Sequence, residues 1–553
     1  MSPCLRVTTP AGTRELPLAP GDPAVPLTTL LARHEMRLNT RCGARGLCHG
    51  CEVRLTAGQL QHQTNAAIVG PGPDAEALRA CQWHLAAAGG PVGLEVPARS
   101  LLRHAPAVVS TFRIGVPWAR DPLRSDTRYG AAVDLGTTTV VVVVCELESG
   151  AVVGEAADFN AQIAFGEDVL TRIQACTADE SAAGRLQRAV AAGTIAPLLA
   201  QACGAARIAP ADVGVMTVAG NTTMLHLLAG ADPRGLGVYP FTPVFLEHRR
   251  LAPREAGLVF GDAAAEVHLL PGPSAYVGAD IAAGVVATGL LYADGPVLFV
   301  DVGTNGEIVA KVGDRLVGAA TAAGPAFEGA GLTSGMRAAT GAIERLHLTR
   351  DPFAIDCRLI GGGPRAIGVC GSAYVDFLWE ARRVGLLQAN GRFADTFLDQ
   401  AGGAIVADRF GRRLRVHAGT GHRPVWISEV DIAHLLQAKA AIAAGIQILL
   451  EQLQTTAAQV KRVYLAGGFG RHLSREHAIG CGLLPGFTAE QIEEVGNSSL
   501  AGAVLALNDR SLLGEMARAC AAIETVELNQ QPGFEDAFLD HLLLPEPRTD
   551  GRG

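Results

Sequence analysis

Apolar positions along the chain change their spacing near residue 129. Before it, Leu5–Thr8 and Glu15–Leu18 alternate apolar and polar around the turn Pro10-Ala11-Gly12, which predicts two short strands. Pro26 opens the helical stretch PLTTLLARHEM, with proline near the first turn. CEVRLTAGQL and VGLEVPA have strand character, and a short helix is predicted over Asp74–Ala80. Residues 99–128 are basic, proline-punctuated and aperiodic, the texture of an interdomain linker. From Tyr129 onward apolar strands alternate with Ala-rich helices, an α/β signature.

The second part contains a repeat. AAVDLGTTTVVVVVCEL reads as strand, turn and strand, and VLFVDVGTNGEIVAKVG reads the same way. Placing Asp134 over Asp301, an offset of 301 − 134 = 167, lays VDLGTT over VDVGTN without a gap. Self-similarity of this kind predicts two related lobes, 129–290 and 291–535, followed by a C-terminal tail, 536–553, whose end LPEPRTDGRG is expected to be frayed.

Composition narrows the class. Apolar residues make up 48% and charged residues 18% of the 553, which excludes a wholly disordered chain. The balance of 46 basic against 54 acidic residues, 46 − 54 = −8, argues against a nucleic-acid binder. The N-terminus has no apolar signal core, and runs such as Val140–Val144 and Ile281–Ala293 fall short of the roughly 20 residues of a membrane span. The expectation is a cytoplasmic protein with no membrane partner, in which 12 cysteines are not a disulfide framework.

Four cysteines stand apart from the rest by spacing. RCGARGLCHGCEV sets Cys42, Cys48 and Cys51 as C-x5-C-x2-C, and Cys81 follows in ALRACQWHL. Three thiolates on one loop and a fourth from elsewhere suit a [2Fe–2S] cluster, close to the plant-type C-x4-C-x2-C…C spacing. Gly43, Gly46 and Gly50 allow the loop to wrap such a group. The alternative is a structural zinc site, which prefers two C-x2-C knuckles where this chain has one. The order strand–strand–helix–strand–helix–strand is a β-grasp pattern, and residues 1–98 resemble a [2Fe–2S] ferredoxin domain.

No G-x4-GK[ST] motif is present, so the chain is not a P-loop protein. The candidates for phosphate binding are the hairpin turns: Asp134, Gly136, Thr137 and Thr138 in one, Asp301, Gly303, Thr304 and Asn305 in the other. Glycine lets consecutive backbone N–H groups form an anion nest, and an aspartate at a strand end can hold Mg²⁺ through water. VYLAGGFGRHLS then reads as a buried strand, a turn at Gly467 and Gly468, and a helix. In order and position these motifs resemble the two phosphate motifs and the adenosine motif of the acetate and sugar kinase, Hsp70 and actin superfamily. That resemblance covers residues 129–535 and implies ATP bound with Mg²⁺ between two RNase H-like lobes. It also implies that Lys439, on the helix after Ser428, contacts adenosine, although an ordinary surface lysine reads the same way. Glu328 could face the nucleotide or cap a helix, and Asn221 and Thr222 could cap a helix or touch phosphate.

The whole architecture is α/β and α+β multidomain: a β-grasp ferredoxin domain (1–98), a linker (99–128) and a two-lobed actin/Hsp70-like nucleotide-binding domain. With the phrases GNTTM, VDVGTNGE, AGPAFEGA, QAKAAI and LAGGFG, it resembles the reductive activators of corrinoid proteins. The resemblance implies a [2Fe–2S] cluster, ATP and Mg²⁺ as cofactors. It implies one electron passed to an inactive Co(II) corrinoid protein of a methyltransferase system, regenerating Co(I), with a low-potential reductant upstream and a possible homodimer. Two other functions fit a fused cluster and nucleotide fold: an ATP-dependent electron donor to a CoA-thioester dehydratase or reductase, and a redox-regulated small-molecule kinase or non-catalytic binding module.

Overall fold

The computed structural model describes the chain except for residues 1–3, 10–11, 20, 35, 37, 39, 41–45, 47–50, 76, 87–89, 98–99, 102–110, 167, 330, 409–410, 421–422, 468–472 and 548–553. The chain divides into two compact units, residues 1–105 with 162–172, and residues 106–161 with 173–553.

In the first unit, Cys4–Thr9 and Gly12–Pro17 form an antiparallel hairpin, and Cys4–Thr9 pairs in parallel with Val92–Glu95. Val92–Glu95 pairs antiparallel with Glu52–Ala57, and Leu78–Arg79 closes the sheet. The two-residue period of the first strand buries Leu5 and Val7 completely. Helix Leu27–Arg33 adds Leu27, Leu30 and Leu31 to the same core. This is the expected β-grasp order, with one correction. Among the described residues of Asp74–Ala80 no α-helix is present: Pro73–Ala75 is a single 3₁₀ turn, and Leu78 and Arg79 pair with Val53 and Glu52. So short a helix could not nucleate alone, and the edge of the sheet offered its backbone better partners.

In the second unit the repeat is a repeat of sheets. Tyr129–Leu135, Thr139–Glu146 and Ala151–Phe159 form an antiparallel meander, whose first strand pairs in parallel with Val213–Gly220, followed by Glu266–Leu269. Val297–Val302, Gly306–Val312 and Arg315–Thr321 form the same meander, paired in parallel with Arg462–Ala466 and then Ile492–Gly496. Both lobes therefore run third–second–first–fourth–fifth, and both aspartates stand at the ends of first strands.

One helix does not pack with the lobe in which its sequence position puts it. Helix Ser498–Asn508 lies far into the second lobe by sequence, yet it packs on Tyr129–Leu135, Val213–Gly220 and helix Ala279–Thr288 of the first. The C-terminal tail 536–553 begins in a helix, and the first residue of its LPEPRTDGRG end, expected to be frayed, is packed. Helix Phe534–His541 lies along helix Glu429–Gln452, and Leu544 is buried. Of the expected linker 99–128, residues 111–128 belong to the second unit. Gly115 N–H donates to Ala287 at 2.8 Å, Ala119 N–H to Asp509 at 2.7 Å and Leu123 N–H to Leu507 at 3.1 Å. An aperiodic strand of chain can satisfy its backbone groups this way without forming secondary structure.

Two helical stretches, Ala182–Ala206 and Glu429–Gln452, are long and apolar enough to cross a membrane by composition, contrary to the sequence expectation. Their surroundings explain the composition. Residues 196–206 cover the strands Thr139–Glu146 and Ala151–Phe159, and 78% of the most apolar window of Glu429–Gln452 is buried in the protein.

Candidate nucleotide site and cysteine pair

The hairpin turns of the two lobes open on one cavity of about 260 Å³. Asp134, Gly136, Thr137, Thr138, Asp301, Gly303, Thr304, Asn305 and Gly467 all line it; Gly468 lies outside the described residues. Each turn closes on itself, Gly136 N–H donating to Thr139 at 3.0 Å and Gly303 N–H to Asn305 at 2.9 Å. The turns differ in length: Asp134 pairs with Val141, whereas Asp301 pairs with Glu307. Past the turn the repeat offset falls from 167 to 166, and Thr138 and Thr304 bring their hydroxyls within 3.5 Å. Gly467 has φ 100°, and a Cβ there would meet the Val302 carbonyl at 2.5 Å and the Asp301 carboxylate at 2.8 Å, so only glycine fits.

Several residues reach the cavity that sequence reasoning did not single out. Asn497 and Ser499 each donate to the Asp134 carboxylate at 2.8 Å. Asp280, in the first turn of helix Ala279–Thr288, and Glu307, inside the second hairpin, add two more carboxylates, and Arg337 adds a guanidinium. Of the two tasks considered for Asn221, the helix cap is formed. Its side chain accepts from Met224 N–H at 3.0 Å as a helix cap and donates to Thr137 at 2.8 Å. Glu328 accepts from Thr304 at 2.8 Å and pairs with Arg337 at 2.7 Å.

Burial and mutual repulsion set the electrostatics. The Asp301 carboxyl is pushed up to about 8, first by burial and then by Asp280, Asp134 and Glu328. Asp280 is pushed up to about 7 by burial and the charge of Asp134. Glu307 is raised well above the usual carboxylate range by burial, Asp280 and Asp301. Asp134 is raised by burial, against the opposing hydrogen bonds from Asn497 and Ser499. Buried carboxylates that repel one another call for a cation or for protons.

Lys439 is not in this cavity. Its fully buried ammonium donates to the carbonyls of His541 at 2.5 Å and Leu543 at 2.9 Å, at the end of the C-terminal helix. The desolvated charge needs hydrogen-bond acceptors, and the last helical carbonyls supply them.

Of the cysteine set, Cys51 and Cys81 are described, and both are buried; Cys42 and Cys48 lie outside the described residues. The Cys81 thiol is pulled down to about 6, first by a hydrogen bond with Cys51 and further by Gln82 and the backbone of Gly46, against the effect of burial. Of the eight remaining cysteines, Cys145, Cys176, Cys203, Cys370 and Cys481 are buried.

Comparison with known proteins bears on this arrangement directly. Residues 129–292 match the RACo middle region, and residues 295–551 match the C-terminal domain of RACo, the ASKHA domain. The corrinoid activation enzyme RamQ of Eubacterium limosum is 32% identical over 424 residues, 74% of this chain and 69% of that protein. This chain belongs to the RACo family of reductive activators of corrinoid proteins. A second relative within reach of the family is the [Co(II) methylated amine-specific corrinoid protein] reductase of Methanosarcina barkeri. It is 27% identical over 361 residues, 60% of each chain. A solved structure, a reductive activator for corrinoid,iron-sulfur protein, superposes with a TM-score of 0.70 at 29% identity over 98% of both chains. Asp280, Glu307, Asn497 and Ser499 all fall inside the stretches that match the family.

Proposed function

We propose that the protein is an ATP-dependent reductive activase, which returns a corrinoid protein from inactive Co(II) to Co(I) by transfer of one electron. The observation that carries this reading is the convergence of the two lobes' hairpin turns on one cavity, in a chain of the corrinoid-activator family. The cavity fits Mg²⁺ and ATP on its own chemistry. The turns at Gly136–Thr138 and Gly303–Asn305 offer glycine backbone and hydroxyl donors to phosphate, and among the described lining residues five carboxylates meet one cation, Arg337. Asp134 and Asp301 would hold Mg²⁺, directly or through water, and the glycine cradle at Gly467 would receive the nucleoside.

The cysteine pair fits a [2Fe–2S] cluster held by Cys42, Cys48, Cys51 and Cys81. Cys81 already favours its thiolate, the form in which sulfur binds iron. Bound there, the cluster would supply a one-electron carrier with a potential of about −400 mV. The nucleotide site would contribute the difference in free energy between its ATP and ADP states, coupled to docking of the corrinoid protein. Hydrolysis consumes one water and releases ADP and phosphate; the electron comes from an upstream low-potential donor. We place the reaction in the cytoplasm.

Anaerobic mixing of the protein with a Co(II) corrinoid protein, a low-potential reductant and ATP tests the proposal. The Co(I) absorption band should grow only with ATP present. Equal growth without nucleotide, or phosphorylation of a small molecule instead, would overturn it.

A further inference from the structure

The charge inside the nucleotide cavity is lopsided. Among its described lining residues are the carboxylates Asp134, Asp280, Asp301, Glu307 and Glu328, and one cation, Arg337. A nucleoside triphosphate brings further negative charge into this surrounding. Mg²⁺ answers for part of it, but charge that builds on the terminal phosphoryl oxygens during transfer needs a donor aimed at them.

We propose that Arg337 is a catalytic arginine supplied in cis, exchanging Glu328 for the terminal phosphate of ATP. This rests on the ATP-hydrolysing function proposed above. The Arg337 guanidinium pairs with Glu328 at 2.7 Å and lies over the Phe159 ring at 5.0 Å from the ring centre. Phe159 ends the meander of the first lobe, while Arg337 and Glu328 follow the meander of the second. The guanidinium therefore bridges the lobes. The second oxygen of Glu328 accepts from Thr304 at 2.8 Å, so one carboxylate holds both the phosphate turn and the arginine. A phosphate seated on the Gly303–Asn305 turn competes for the Thr304 hydroxyl and, through its own oxygens, for Arg337. Both side chains of the pair are only 23% exposed, which keeps the guanidinium close to the cavity during the exchange. A planar guanidinium gives two parallel N–H donors to phosphate oxygens and stays protonated throughout. The reaction remains ATP plus water to ADP plus phosphate, and Arg337 forms no covalent bond and gives up no proton.

Arg337→Gln and Arg337→Lys in the full-length protein test the proposal by two readouts: steady-state ATP hydrolysis, and equilibrium binding of ADP and of a non-hydrolysable ATP analogue. Arg337→Gln should lower kcat by roughly 10²–10³-fold. It should weaken the analogue towards the affinity of ADP and leave ADP within about twofold, because ADP lacks the terminal phosphate that Arg337 would meet. Arg337→Lys should recover part of kcat, because it restores charge without the fork. A parent-like kcat in Arg337→Gln, or equal weakening of ADP and the analogue, overturns the role of Arg337. If the parent hydrolyses no ATP, the functional proposal fails, while the two binding measurements still decide whether Arg337 meets the terminal phosphate.

Discussion

The hairpin of the first lobe and the hairpin of the second are the same device in two electrostatic states. In the first, Asp134 is held by Asn497 and Ser499, and the residue across the strand pair is Val141. In the second, Asp301 accepts no hydrogen bond among the described residues and faces Glu307 across the pair, and burial, Asp280, Asp134 and Glu328 all raise it. The first hairpin is fixed by the protein itself. The aspartate of the second finds no donor or counter-charge among the described residues, which is the arrangement expected of a carboxylate reserved for a cation. Sequence similarity between the turns therefore conceals a division of labour between a positioned aspartate and a frustrated one.

The strongest way to break this comparison is to remove each aspartate in turn. Asp301→Asn should reduce ATP hydrolysis by roughly 10²–10³-fold. The same change should stabilise the nucleotide-free protein by about 2–4 kcal/mol near pH 8, because it removes a buried carboxyl forced away from its ordinary range. Asp134→Ala should also impair hydrolysis, but it should destabilise the protein by about 1–3 kcal/mol, since the Asn497 and Ser499 donors lose their acceptor. Denaturant unfolding of both variants beside ATPase assays gives the answer. Stability changes of the same sign would mean that the two hairpins are equivalent.

Proton linkage sharpens the comparison next. A carboxyl whose folded pKa is raised binds more protons folded than unfolded. Its contribution to stability is complete below its ordinary value of 3.8 and is lost as pH rises through about 7 for Asp280 and about 8 for Asp301. Nucleotide-free protein should lose stability across that window, and Asp301→Asn should flatten the loss. Mg²⁺ must displace the same protons, so the apparent affinity for Mg²⁺–nucleotide should rise by up to roughly tenfold per pH unit between about pH 6 and 8. Calorimetric titration in buffers of different ionisation enthalpy would register the released protons; a flat profile would remove the distinction between the aspartates.

The smallest effect concerns the contact between the turns themselves. Thr138 and Thr304 approach only to 3.5 Å, and the shorter bond of Thr304 is to Glu328 at 2.8 Å. Thr138→Val should change stability by less than about 1 kcal/mol. Thr304→Val should cost about 1 kcal/mol, because Glu328 also loses a donor. Equal costs would make the direct contact between the turns the more important of the two.

What the chain determined locally was legible in its residues. Strand ends carrying Asp134 and Asp301, glycine turns and the two-residue period of the first unit depend on neighbours a few positions away, and the sequence pattern reports such neighbours. Tertiary structure alone decided the rest. Asn497 and Ser499 reach Asp134 across more than 360 residues, because helix Ser498–Asn508 crosses from the second lobe to lie on the sheet of the first. Asp280 sits in an Ala-rich helix with no motif around it, and its position follows from where that helix begins relative to the first strand. Lys439 occupied a plausible face of its helix by sequence, yet the folded C-terminal segment brings two carbonyls to its ammonium and takes it out of the site. A buried charge goes to whatever partners the fold places beside it, and those partners are set by sheet order and helix packing rather than by adjacent residues.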